Sequence, residues 1–99
     1  MAKERIAVEN VIRPGKPRLV DAGMYSAMRR AVLKALPAKE PGLTLAELLA
    51  RVEPALPEAI FPGGAKAGWW FKTVQLDLEA KGLARRTKTT PLRLYRGRP

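Results

Sequence analysis

Three chain breaks divide this sequence into stretches of helical length. Pro37 holds Leu36 out of the helical region, Pro54 stops the next periodic stretch, and Gly82 is a left-handed terminator for a third. Between the breaks, apolar residues recur at helical spacing. Met24, Met28, Ala31, Val32 and Ala35 share one face of a helix over residues 22–36, with Asp21 as N-cap and Arg30 and Lys34 turned to water. Thr44-x-x-Glu47 is a capping box with Leu43 and Leu48 at the staple positions, and Leu45, Leu48, Leu49 and Val52 form the apolar face behind it. A third helix over residues 65–81 aligns Ala67, Trp70, Phe71, Val74 and Leu78 on one stripe. Trp69, Lys72, Thr73, Leu76 and Ala80 fall on its opposite side.

The flanks read as β-structure. Ile6 and Val8 alternate with polar neighbours, Arg13-Pro14-Gly15-Lys16 suits a turn, and Leu19 and Val20 lie on the returning arm. Pro17 lacks a donor and puts that arm at an edge. After Gly82, residues 83–86 and 92–96 read as two short strands around a polar, basic tip. Residues 54–64 form a proline- and glycine-rich connection in which Ile60 and Phe61 are expected as core anchors. The expected architecture is one α+β domain over residues 1–99. It has an N-terminal hairpin arm (1–21), a three-helix core (22–82) and a basic C-terminal β-wing and tail (83–99).

Charge narrows the function. A chain of 99 residues supports one modest core, and its 19 basic and 9 acidic side chains give a net charge of +10. The last segment, residues 81–99, carries Lys81, Arg85, Arg86, Lys88, Arg93, Arg96 and Arg98 and no acid. This balance favours a polyanionic partner, nucleic acid first. Cysteine and histidine are absent, which removes the commonest nucleophile, general base and metal ligands. Tyr25, Tyr95, Ser26 and Asp77 form no catalytic spacing, and Asp77 and Glu79 read as solvated carboxylates on different sides of one helix. No catalytic residue, metal or cofactor is expected. With no secretory or membrane-spanning stretch in the sequence, a cytoplasmic location without a membrane partner is expected.

Three helices followed by a basic hairpin is the order of the winged helix-turn-helix superfamily, and Leu78-Glu79-Ala80-Lys81-Gly82-Leu83 with Arg85-Arg86 resembles its junction between third helix and wing. The resemblance covers residues 22–96 and implies a third helix in the major groove with the wing on the DNA backbone. One departure stands out. About a dozen residues separate Val52 from the third helix, where a helix-turn-helix uses a turn of about three or four. The stretch Phe61-Pro62-Gly63-Gly64-Ala65-Lys66-Ala67-Gly68-Trp69-Trp70, continuing Lys72-Thr73-Val74-Gln75-Leu76-Asp77-Leu78-Glu79, is similar to the hallmark of a small bacterial family of uncharacterised proteins. That likeness extends over nearly the whole chain and adds no functional residue.

The leading expectation is binding to duplex DNA with little sequence preference. Arg85, Arg86, Lys88, Arg93 and Arg96 of the wing and Arg29, Arg30 and Lys34 of the first helix are its candidate phosphate contacts. Lys72, Thr73 and Gln75 of the third helix are candidates for base edges. The alternative is a dimerisation or protein-contact module on the same scaffold, with Trp69 and Leu76 as anchors. Those two apolar residues lie off the main stripe, and packing beneath the N-terminal hairpin accounts for them equally well.

Overall fold

The computed structural model describes residues 4–97 and gives a small α+β fold of three α-helices and two small antiparallel sheets. Helix α1 spans Ala22–Ala35; the Asp21 side chain caps it by accepting the Met24 N–H at 2.9 Å, and Leu36 turns extended before Pro37. Helix α2 spans Leu45–Val52, and both bonds of the Thr44–Glu47 capping box are formed, at 3.2 and 3.0 Å. Helix α3 spans Ala67–Ala80. It begins two residues later than the periodicity suggests, because Lys66 adopts a left-handed backbone (φ 61°) that no helix can continue through. The connection from α2 to α3 contains two single 3₁₀ turns, Glu53–Ala55 and Pro62–Gly64. Phe61 enters the core from it, whereas Ile60, expected beside it, stays exposed.

Strands β1 (Arg5–Val8) and β2 (Arg18–Asp21) pair as the N-terminal hairpin, with Val8 and Val20 turned inward. A second sheet has the order β3-β5-β4, formed by β3 (Leu43–Thr44), β4 (Ala84–Arg86) and β5 (Arg93–Arg96). The two-residue strand β3 is too short for any alternation to announce it. Gly42 makes its pairing feasible: φ is +74° there, and a Cβ would collide with the Leu94 carbonyl oxygen. The core gathers Met28 and Val32 of α1, Leu48 and Val52 of α2, Phe61, and Val74 and Leu78 of α3, and Leu94 closes it from β5. Among the described residues, no helix is long and apolar enough to cross a membrane.

Helix α3 departs most from expectation. Its apolar stripe packs as anticipated, but Thr73, Gln75, Leu76, Asp77 and Glu79 are buried as well. Asp77 and Glu79 do point to different sides; each side is covered by a hairpin rather than by water. The Asp77 carboxylate, 0% exposed, accepts the Glu9 N–H at 2.8 Å and the Tyr25 hydroxyl, and it pairs with the Lys81 ammonium at 2.9 Å. Its donors come from the exit of β1, from α1 and from the C-terminal cap of α3. No buried side-chain polar atom among the described residues lacks a partner.

These contacts set two stability expectations. Replacing Asp77 with Ala leaves a buried hydroxyl, an amide and an ammonium unmatched and should cost about 3–5 kcal/mol in urea denaturation, against about 1–2 kcal/mol for Tyr25→Phe. Burial, together with the hydrogen bond and negative charge of Asp77, raises the Tyr25 phenol above its ordinary value of 10.0. Partial burial alone pulls the Lys81 ammonium down, but its hydrogen bond and charge pairing with Asp77 outweigh this and carry it above 10.5. Both groups therefore hold their protons more tightly folded than unfolded. The stability they confer is complete below their ordinary values and is lost as pH rises through the raised ones. Thermal melts should show stability falling above about pH 10, and the fall should be shallower in Tyr25→Phe.

Candidate functional site

The cations of the C-terminal hairpin divide into two groups. Arg85 and Lys88 are exposed and make no ion pair among the described residues. Arg86 grips Glu79 with two N–H groups, Nη2 to Oε2 at 3.0 Å and Nε to Oε1, while Gln75 Nε2 donates to the same carboxylate at 2.8 Å. The hydrogen bond to Glu79 raises the Arg86 pKa further above its ordinary value, which fixes the charge in place. Arg93 Nη1 lies 3.5 Å from Glu47 Oε1 and donates to the Gly42 carbonyl at 3.3 Å. Arg96 donates from Nε to the Leu33 carbonyl at 3.1 Å, fastening the end of β5 to the last turn of α1. Arg86, Arg93 and Arg96, expected as phosphate contacts, are thus tied to the fold by a glutamate or a carbonyl.

The outward face anticipated for α3 is also reduced. Thr73 and Gln75 are buried and unavailable to base edges, Gln75 being bonded to Glu79. For Thr73 and Leu76 the cause is the chain leaving β1. Glu9 is held at Asp77, and the Val11 N–H donates to the Leu76 carbonyl at 3.3 Å, so residues 9–11 run across the helix. Leu76 is covered and cannot serve as an interface anchor, whereas Trp69 remains 50% exposed. Lys72 is exposed, as are Arg30 and Lys34 of α1, with Arg29 half-buried.

What the crossing creates is a groove of about 410 Å³ between the loop joining β1 to β2 and the first turns of α3. Arg13, Lys16 and Arg18 line it from the loop side, and Lys72, Trp69 and Gly68 from the helix. Glu9 is the acid in its wall. Asn10 Oδ1 accepts the Ile12 N–H at 2.8 Å and the Arg13 N–H at 3.3 Å, a local turn that holds the backbone at Arg13. The Arg18 guanidinium stands 5.2 Å from the centroid of the Trp69 ring. Trp70, which is buried, supports that ring edge-to-face at 5.0 Å and 83°. A second, more apolar groove on the far side of the crossing is lined by Ile12, Leu45, Leu49, Phe71 and Leu92, and Lys72 and Leu76 border both. Of the cationic groove, sequence reasoning finds Lys72 and Trp69 and misses Arg13, Lys16 and Arg18. Their signal is two bases on the loop between two strands and a third at the start of the second strand, masked by the turn chemistry of Pro14 and Gly15 beside them.

The division of the wing cations is measurable. Arg86→Ala leaves the buried Glu79 carboxylate without its guanidinium and should lower stability by about 1–3 kcal/mol in urea denaturation. Arg85→Ala and Lys88→Ala should stay within about 0.5 kcal/mol of wild type.

Residues 5–94 match the model of a family described as Family of unknown function (DUF6958). No curated protein and no solved structure matches the chain. Because the family match runs from the first strand to the last, the chain belongs to this family of unknown function.

Proposed function

We propose that this is a cytoplasmic nucleic-acid-binding protein on a winged-helix frame, which holds DNA mainly through its phosphates. The observation that carries the reading is the groove over α3, which Arg13, Lys16 and Lys72 line without an ion pair among the described residues and where Arg18 stands over an aromatic ring. Cations with no internal partner release condensed counterions when a phosphate approaches, which supplies most of the affinity of backbone binding. The winged-helix reading is supported by the element order and by the short strand between α1 and α2 pairing with the second strand of the C-terminal hairpin. Arg85 and Lys88 at the wing, with Arg29, Arg30 and Lys34 on α1, extend the cationic surface. With Thr73 and Gln75 withdrawn into the core, contacts to base edges are few, so binding is sequence-tolerant. A protein contact through Trp69 and Leu76 has less support, since one of its two anchors is covered.

Fluorescence anisotropy with a labelled duplex across a salt series tests the reading. The log–log slope should flatten by about 0.9 for each phosphate that a variant no longer neutralises. The triple change Arg13→Ala, Lys16→Ala, Lys72→Ala should flatten it more than Arg85→Ala with Lys88→Ala. Failure to bind any DNA at low salt overturns the proposal.

A further inference from the structure

The groove contains more than phosphate binding requires. A surface that only neutralises phosphates needs exposed cations. This one also presents an indole that is half exposed, on the side of α3 opposite the buried stripe of Trp70 and Phe71. Its position is fixed from two directions, by Trp70 edge-on at 5.0 Å and by the Arg18 guanidinium at 5.2 Å. Trp69 is also a wall shared by two hollows, the cationic groove and a smaller one lined by Arg5, Leu19 and Trp70. Beside it, Gly68 contributes no side chain, and a Cβ built there would meet nothing within 4 Å, so the groove stays open next to the ring.

A rigid aromatic platform among cations, in a hollow of about 410 Å³, matches the chemistry of a nucleobase with its neighbouring phosphates. In a duplex both faces of each base are covered by the stack, and only edges are offered. An indole face gains nothing from edges, whereas an unpaired base offers its π-face directly. We infer that the groove takes an unpaired base on Trp69, in the place over the ring that the Arg18 guanidinium holds in the free protein, and its flanking phosphates on Arg13, Lys16 and Lys72, so that the protein prefers single-stranded over duplex nucleic acid. This rests on the nucleic-acid reading above and adds a strand preference to it. Glu9 in the groove wall repels a phosphate placed on its side and so favours one orientation of the strand.

The test compares an oligothymidine of about 12 nucleotides, inside the usual site range of about 4–16, with a duplex of equal length, using wild type, Trp69→Ala and Gly68→Leu. Trp69→Ala removes the platform from a half-exposed position. Gly68→Leu fills the groove from a helical position with open space around it, so folding is retained and circular dichroism checks this. Wild type should bind the single strand more tightly than the duplex, with quenching of tryptophan fluorescence. Trp69→Ala should weaken single-strand binding by roughly 5- to 150-fold, the range expected for loss of one stacked base, and Gly68→Leu should weaken it as well; in both variants the advantage of single strand over duplex should shrink or vanish. Equal, salt-dependent binding of both nucleic acids that neither variant alters overturns the strand preference and leaves phosphate binding standing. No binding of either at low salt overturns both.

Discussion

The arrangement of the whole molecule depends on one fully buried carboxylate. Moving an ionised carboxyl out of water costs several kcal/mol, and only matched donors offset that. Asp77 meets the requirement with an amide from the exit of β1, a hydroxyl from α1 and an ammonium from Lys81 at the C-terminal cap of α3. Since all must be in place together, the carboxylate adds a directional constraint on three elements to the non-directional burial of apolar surface. Glu79, two residues later and therefore on the other side of the helix, does the same for the C-terminal hairpin through Arg86, with Gln75 occupying an oxygen that Arg86 also uses. The two hairpins are thus fastened to α3 by acids in addition to the apolar side chains Val8, Val20, Ala84 and Leu94 that they bury in the core.

This use of acids shapes the exterior. The chain has few of them, and two are withdrawn into the central helix, each together with one cation. The cations left at the surface of the N-terminal loop then stand largely unopposed. Fastening Glu9 by its backbone also decides where the loop goes. From there it crosses α3 at Leu76, turns at Asn10 and returns past Trp69 into β2. The same crossing that buries Thr73 and Leu76 therefore builds the wall of the groove.

Much of the architecture is legible in the sequence because its signals are local. The capping box at Thr44 and Glu47, the Asp21 cap, the breaks at Pro37 and Pro54 and the apolar stripe of α3 need only neighbouring residues, and all are present in the structure. The burial of Gln75, Asp77 and Glu79 is not legible, because a polar residue on a helix looks the same whether it faces water or a distant donor. Two of the partners of Asp77 are remote in sequence, Glu9 by 68 residues and Tyr25 by 52. The position of Leu76 off the main stripe is the available clue: a helix with apolar residues on two sides is covered on two sides. Strand β3 escapes for a different reason, since its pairing depends on Gly42 passing close to the Leu94 carbonyl and not on any pattern of its own.

The loop between β1 and β2 is longer and better anchored than a reversal of direction requires. Hairpin loops are usually about 2–5 residues long, and a longer one gives up more entropy on ordering. Residues 9–17 far exceed that need, yet the loop is held by an amide on Asp77, another on Leu76 and its own turn at Asn10. It also carries Arg13 and Lys16 at positions where their side chains contribute nothing to those fastenings. A loop kept only to join two strands would not need to be both long and anchored. Holding cations at a set distance from an aromatic ring on the facing helix requires both properties at once.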